Sequence, residues 1–396
     1  MRSRDRAGGG RWYSAAGSRP WAAMRRHPGE LGTVRRKLLW VLGLLALALL
    51  ASCAPHATQD TLKPAGPEAR EIKNLFVPVF WVAVGVFVIV EGGIVLILIK
   101  YRHRKGQDRM PAQIHGNTRL EIGWTIAPAL VLAFVMVPTV GLIWKLAAPA
   151  PAGALHVTVQ GHQWWWGFEY TDPDMKTTYG SKGAITVADV MVIPAGRPVY
   201  LDLTSVGGLV GGANPDFEVI HSFWVPELAG KQDVVPQRTN HILLSADRPG
   251  TYTGQCAEFC GLQHGRMKFR VVALDATAWS SWVAGQKQAA VTPTDPEAVA
   301  GMKLFLNPLS DNRGTCITCH AIGGTEAGSP AAPNLTHFAD PTHQCFAGCD
   351  WDTSDQGALE AWLADPNAVK LGSKMPDYHL TQDEIGALVA YLRSLT

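Results

Sequence analysis

The sequence predicts a multidomain membrane protein: a two-helix transmembrane hairpin, then an all-β domain, then a small all-α domain, along 396 residues. Three observations predict it. The runs Leu75–Ile99 and Ile122–Trp144 carry one charge between them, Glu91, and each is long enough to cross a hydrocarbon core of about 30 Å as a helix. The stretch after them breaks into short β-rich runs separated by Gly, Pro and Asp. The last segment carries helical apolar periodicity with helix-start signals. A chain that is 47% hydrophobic and 17% charged is too apolar to be disordered.

Residues 1–52 form an N-terminal extension and targeting segment. They hold ten Lys/Arg against Asp5 and Glu30, a net of +8, whereas residues 291–396 hold five against thirteen Asp/Glu, a net of −8. The positive charge sits beside a targeting segment with no separate basic face, which argues against nucleic-acid binding. The absence of a GxGxxG or P-loop pattern removes nucleotide chemistry. Arg35, Arg36 and Lys37 precede the uncharged run Leu38–Ser52, a secretory signal in form. Its end, Leu50-Ala51-Ser52-Cys53, resembles a bacterial lipobox, which implies that Cys53 is lipidated; a plain signal peptide with a chance Cys is the alternative. The Arg/Gly-rich residues 1–33 read as an over-long translation start, with Met24 a candidate true start.

Residues 53–74 form an extracytoplasmic segment and 75–146 the hairpin. Pro78, Pro128 and Pro138 are tolerated in membrane spans. The loop between the spans carries Lys100, Arg102, Arg104, Lys105, Arg109 and Arg119, which places it in the cytoplasm. Both ends of the hairpin, and everything after residue 146, are then extracytoplasmic. Glu91 inside a span is costly and is expected to face a protein partner or a polar path.

Residues 153–275 read as a β-sandwich or barrel, with strands at Leu155–Gln160, Trp164–Tyr170, Ile185–Ile193, Pro198–Thr204, His241–Ser245 and Met267–Leu274. Near its end Cys256, Cys260, His264 and Met267 share a twelve-residue loop, and His221 stands upstream. Thiolates and a thioether are soft donors and imidazole is borderline, a set that selects copper. Two thiolates bridging two coppers give each ion two sulfurs and one His. Met267 and a backbone carbonyl complete the two shells. Taken singly, the two Cys could form a disulfide, His221 could be a strand residue and Met267 could be core, and a Met ligand argues against zinc. The conjunction of five donors decides for copper.

The loop C-x-E-x-C-G-x-x-H-x-x-M, the segment Val219–Pro226, the run Gly161-His162-Gln163-Trp164-Trp165-Trp166 and the span opening Glu121-Ile122-Gly123-Trp124-Thr125 resemble cytochrome c oxidase subunit II, in the same order over about residues 70–275. The resemblance implies a cupredoxin-like domain in which His221, Cys256, Cys260, His264 and Met267 bind the dinuclear copper A centre and Glu258 contributes its carbonyl. It also implies that the Glu258 side chain reaches a magnesium ion shared with subunit I. Trp164 matches the aromatic residue that receives the electron from cytochrome c. Three consecutive Trp on a strand cannot all face one core. Glu121 matches a residue near a proton-path entrance; the plainer reading is a helix-start carboxylate favoured by the dipole. Two departures bear on the docking face: Gly207–Asp216 looks like an insertion, and Gln237 stands where the family often has Gly before Arg238. The ubiquinol-oxidising relatives lack the copper cysteines, so Cys256 and Cys260 exclude that role by analogy.

A linker, residues 284–293, precedes the last domain, 294–396. It carries Cys316-Ile317-Thr318-Cys319-His320, the c-type haem attachment pattern, with His320 placed to ligate the iron. Met375, in Lys374-Met375-Pro376, is the best sixth ligand; Met302, on a predicted helix, is the alternative. That helix opens Asp295-Pro296, an N-cap followed by Pro at the first position. The last helix opens with a capping box, Thr381 to Glu384, and continues as the stripe Ile385, Leu388, Val389, Leu392. With Gly301 and Phe305 on the first helix and the loop Pro333-Asn334-Leu335, the domain resembles a small class I cytochrome c. Of seven Cys, Cys345 and Cys349 remain. A disulfide is their expected use outside the cytoplasm; a second metal site with His337 and His343 is the alternative.

The two resemblances together imply the electron-input subunit of a caa-type haem–copper oxidase in a bacterial inner membrane. Electrons would pass from an external cytochrome c or bc-complex donor to the haem c, Trp164 and copper A. From there they would reach haem a and the haem–copper B site of subunit I, where oxygen is reduced and protons are pumped; subunit III and membrane lipid are further partners. No catalytic residue is expected in this chain. A tethered donor works at an effective concentration near the millimolar range for a short flexible linker. The acidic haem domain calls for a basic docking patch on its donor or on the copper domain, weakened by salt. The rivals are a relay feeding another reductase, such as a nitric oxide reductase, and a copper-delivery protein.

Overall fold

The computed structural model describes residue 36 and residues 39–47, 57–102, 110, 113, 115–179, 183–206 and 218–396. Residues 39–47 are helical and fall in a unit of their own, Met1–Ala57. Cys53, Met24, the basic residues Arg104, Lys105 and Arg109, and the insertion Gly207–Asp216 lie outside the described residues.

Two helices, α1 (Pro67–Lys100) and α2 (Thr118–Leu146), are long and apolar enough to cross a membrane. Both run past the apolar stretches that predict them, for local reasons. Pro at the first position pre-sets the start of α1, and the Asn117 side chain caps α2 by accepting the Arg119 and Leu120 N–H groups. Their sides bear exposed Phe, Val, Leu and Ile, as surfaces meant for lipid or protein do. The first turns of α1 belong to the domain beyond the membrane. Ala69 is buried and donates its N–H to the Leu228 carbonyl, and Arg70 makes a two-pronged ion pair with Asp247 at 3.0 Å. Lys145 near the end of α2 pairs with Glu71 of α1 at 2.8 Å. Glu91 is exposed on α1.

The β domain is a sandwich of two five-stranded sheets. Along the chain its strands are β1 (Leu155–His162), β2 (Trp165–Tyr170), β3 (Ile185–Ala188), β4 (Val190–Pro194), β5 (Val199–Ser205), β6 (His221–Trp224), β7 (Lys231–Val234), β8 (Asn240–Leu244), β9 (Gly250–Cys256) and β10 (Lys268–Leu274). One sheet is ordered β3-β2-β1-β5-β8 and the other β4-β10-β9-β6-β7. Alternate residues of β1 and β5 are buried, the period of two that a half-buried strand requires. Trp166, Phe168, Phe223 and Phe269 fill the space between the sheets, with Phe223 and Phe269 stacked at 4.6 Å. The expected strand Ile185–Ile193 is two strands, one in each sheet. The break is Asp189, whose φ of 58° ends one ladder and turns the chain into the other.

Helix α3 (Ala276–Gln286), capped by Asp275, takes up the first residues of the stretch read as linker. The last domain follows as α4 (Pro296–Leu306), a small ribbon β11 (Cys345–Phe346) and β12 (Trp351–Asp352), then α5 (Gln356–Ala364), α6 (Pro366–Val369) and α7 (Gln382–Ser394). Asp295 caps α4, and Thr381 and Glu384 form the reciprocal capping box of α7. Helices α4 and α7 cross at Gly301. A β-carbon there would run into the Ala387 carbonyl and the Tyr391 side chain, so only Gly permits this approach.

Candidate metal and haem sites

The copper-type donors converge where β6 meets the loop after β9. His221, fully buried on β6, directs Nδ1 toward Cys256 Sγ at 3.9 Å. The two sulfurs of Cys256 and Cys260 lie 3.8 Å apart. On the far side, His264 Nδ1 and Met267 Sδ each stand 3.7 Å from Cys260 Sγ. The Glu258 carbonyl oxygen is 3.2 Å from Cys256 Sγ. Donors separated by 3.7 to 3.9 Å fit the edges of a tetrahedron around an ion with bonds of about 2.0–2.3 Å. His221, Cys256 and Cys260 form one mutually close group. As thiols, the two cysteines share a proton: the neighbouring sulfur holds Cys256 low and pushes Cys260 up, and burial raises Cys260 further. A soft cation relieves that conflict by displacing the proton.

Trp164 occupies the turn between β1 and β2. Its indole N–H donates to the Cys260 carbonyl at 3.0 Å, and the Gln163 side chain donates to the same oxygen at 2.9 Å. The three consecutive Trp separate as the strand period demands: Trp166 enters the sandwich core, and Trp165 stacks on His162 at 3.9 Å. Trp164, however, is only 7% exposed. The last domain covers it.

That domain and the β1–β2 turn border a partly open cavity lined by Cys316, Cys319, His320 and Met375 together with Trp164 and Trp165. His320 Nδ1 lies 2.8 Å from the Pro333 carbonyl, which orients the ring and leaves Nε2 for a metal. Burial lowers the His320 pKa, which favours the neutral, ligating imidazole. Phe305, Leu363 and Leu388 add an apolar wall, and burial pushes the Cys316 thiol up to about 11. Two thiols for covalent attachment, with one oriented imidazole and one thioether as iron ligands around an apolar cavity, are the residues a c-type haem requires. Met302 packs against the neighbouring core of this domain rather than lining the cavity.

Glu121 lies in the first turn of α2, where its carboxylate accepts the Asn117 N–H at 3.2 Å, a local helix-start contact. Gln237 has a φ of 57°, the left-handed region that favours Gly, which accounts for the residue expected there. Cys345 and Cys349 are disulfide-bonded. His343 is engaged with the Phe338 carbonyl and His337 with that of Thr396.

The sequence reading missed how the two domains are joined. The disulfide loop enters the sandwich: Cys345 is fully buried and belongs to the core of the β domain. Lys370, 2% exposed, donates to the Trp164, Arg266 and Ala347 carbonyls at 3.2, 2.7 and 2.6 Å. Arg266 and Arg270 of the β domain pair with Asp350 at 2.9 Å and Asp352 at 3.9 Å. This pair is where the acidic domain meets basic residues of the β domain. It is built into an interface in place of a free tether, and Asp350 is too buried for salt to screen strongly. A cluster of acidic residues around Cys345–Cys349 was the available signal, but a charge run of that kind is ordinarily a solvated face.

Family models match the three parts of the chain. The family model described as cytochrome c oxidase subunit II, periplasmic domain, matches residues 155–274, and its transmembrane counterpart matches residues 55–142. A cytochrome c model matches residues 298–396. Cytochrome c oxidase subunit 2 of Alkalihalophilus pseudofirmus is 36% identical over 87% of this chain and 93% of its own length. That of Bacillus sp. strain PS3 is 34% identical over 92% and 98%. Among solved structures, the periplasmic domain of subunit II of cytochrome oxidase from Bradyrhizobium japonicum is 24% identical over 35% of this chain and 97% of its own, with a TM-score of 0.29. With the copper-type donors and the haem cavity in place, the chain belongs to the cytochrome c oxidase subunit II family, as a membrane-anchored component of a haem–copper oxidase that carries a fused cytochrome c domain.

Proposed function

We propose that this chain is the electron-input subunit of a caa-type oxidase, with two coppers held by His221, Cys256, Glu258 (through its carbonyl), Cys260, His264 and Met267, and one haem c held by Cys316, Cys319, His320 and Met375. When bound, these groups supply one-electron redox chemistry, the haem as donor and the copper pair as acceptor. The residues position them. Cys256 and Cys260 stand between the two imidazoles, so each sulfur can serve two ions. Burial of both sulfurs restricts water and solvent rearrangement around them.

One observation carries the reading. Trp164 lines the cavity that holds the haem ligands and donates its N–H to the carbonyl of a copper ligand, Cys260. It is a bridge between the two sites. The acceptor beyond is haem a of subunit I, where oxygen is reduced at the haem–copper B site and proton translocation is driven. An external cytochrome c or a bc complex supplies electrons to the haem c, and subunit III completes the assembly.

The hairpin sits in a bacterial inner membrane with both domains outside, in keeping with the basic loop between the spans. Glu258 lends its side chain to a magnesium ion shared with subunit I, Cys53 carries lipid, and Glu121 lies at a proton-path entrance.

The test is metal content and visible and near-infrared absorption of the full chain in detergent, after copper loading and haem maturation. Two coppers and one haem c per chain, with a near-infrared mixed-valence band, are expected. One copper, zinc, or no near-infrared band overturns the dinuclear assignment.

A further inference from the structure

We propose that Lys370 is the positioning residue that fixes the haem domain for electron transfer, clamping the Trp164 main chain to the disulfide loop of that domain. The inference rests on Trp164 being the bridge between the two sites. Its grounds are geometric. All three N–H bonds of the ammonium are used, and their acceptors come from three segments: the β1–β2 turn at Trp164, the end of the copper loop at Arg266, and the disulfide loop at Ala347. A Leu or Met would fill the same space, but only an ammonium can gather three converging carbonyls. Its counter-charge is Asp350, 3.3 Å away, which also takes the Arg266 guanidinium at 2.9 Å. Arg266 in turn donates to the Val369 carbonyl at 3.0 Å.

The clamp acts on the bridge from both sides. The Trp164 ring donates to the copper loop, and its carbonyl accepts from Lys370. Two residues beyond Lys370, Gly372 lies against that ring: a β-carbon there would stand 3.1 Å from it. A second set of bonds closes the same seam. The Gly348 N–H donates to Asp189 at 2.7 Å, and the Lys268 N–H donates to the Gly348 carbonyl at 3.0 Å. Interfaces between domains of one chain are commonly polar and mobile. Electron tunnelling falls exponentially with the gap, so a rocking domain spends most of its time out of range. A buried, fully bonded ammonium in the seam removes that motion.

The experiment uses the full chain in detergent, copper-loaded and haem-matured, as wild type, Lys370→Met and Asp350→Asn. Amide hydrogen exchange is read at Gly348 and Lys268. The rate of haem-to-copper electron transfer after flash reduction is read as a function of glycerol viscosity, with both absorption spectra as controls. For Lys370→Met the expected result is at least tenfold loss of protection at the two amides, with α4 and α7 unchanged, and transfer at least tenfold slower and newly dependent on viscosity. Asp350→Asn, which serves if the first variant fails to fold, should show at least threefold changes of the same kind. Exchange and transfer within twofold of wild type overturn the clamp. Loosened amides with an unchanged, viscosity-independent rate reduce Lys370 to a packing residue, which also overturns it. A wild type that passes no electron between the sites overturns the bridge reading instead, and the exchange data then judge the clamp alone.

Discussion

Asp189 bonds to Gly348 across the domain boundary: its Oδ2 accepts the Gly348 N–H at 2.7 Å while its Oδ1 accepts the Trp166 N–H at 2.9 Å. One carboxylate thus ends β3, starts β4 and receives the haem domain. Asp tolerates the left-handed conformation because its short side chain bonds to nearby main chain. Replacing Asp189 by Ala strands two N–H groups and removes the side-chain bonds that offset the cost of its left-handed φ. The expected loss is about 3–5 kcal/mol. Asp189→Asn keeps the conformation and one good acceptor and should lose about 1–2 kcal/mol. Thermal unfolding of the holo chain measures both.

The same carboxyl sets a pH dependence. Burial raises the Asp189 pKa from 3.8 to about 6, against the opposing pull of its two N–H donors and Lys370. Between pH 3.8 and about 6 the folded chain therefore holds a proton that the unfolded chain has released. This contribution to stability is full below pH 3.8 and falls as pH rises through 6. Unfolding midpoints across this window should show the slope in wild type and lose it in Asp189→Asn.

Copper content distinguishes the bridging sulfurs from the thioether. On the proposed dinuclear reading, Cys256→Ser removes a sulfur that both ions need, and the chain should bind fewer than two coppers and show no near-infrared band. Met267 is fully buried, and Leu conserves its volume, so Met267→Leu should keep both coppers and cost less than about 1.5 kcal/mol. Elemental analysis and absorption of the loaded chain read the difference.

Gly301 tests the haem domain alone. An added methyl meets the Ala387 carbonyl, which is main chain and cannot rotate aside. Gly301→Ala should push α4 and α7 apart and destabilise the domain by about 1–3 kcal/mol, seen as a lower temperature of haem-band loss.

Gln237 tests the opposite sign. Its φ of 57° is a conformation that Gly adopts freely. Gln237→Gly should raise stability by about 0.5–1 kcal/mol, the relief of strain exceeding the added entropy of the unfolded chain. A lower unfolding midpoint would contradict this.

The donors were legible because their types and spacing carry the chemistry locally. Cys256, Cys260, His264 and Met267 share one loop, and Cys316, Cys319 and His320 share five residues. The caps at Asp295 and Thr381 were legible for the same reason. The split at Asp189 was not, since a continuous run of β-formers gives no sign of one residue turning left-handed. The domain seam was the least legible. Lys370 and Trp164 are 206 residues apart, and each contact is made by a residue that is ordinary in its own neighbourhood. For Trp164 the sequence pointed to an aromatic port, whereas its exposure depends on a domain two hundred residues downstream.

That covered tryptophan changes the order of the reaction. Where a diffusing carrier must find the copper domain, the rate of reduction rises with carrier concentration and with complementarity to that one surface. Here the position over Trp164 is taken by a part of the same molecule, at one copy per acceptor. On the proposed electron path, the step into the copper pair becomes first order, indifferent to how many carriers surround the membrane. Selection for a carrier then acts on the outer face of the haem domain and leaves the copper domain untouched. The fused domain is an adaptor: its exposed side can be remodelled for a new donor while the seam, and the passage behind it, stay as they are.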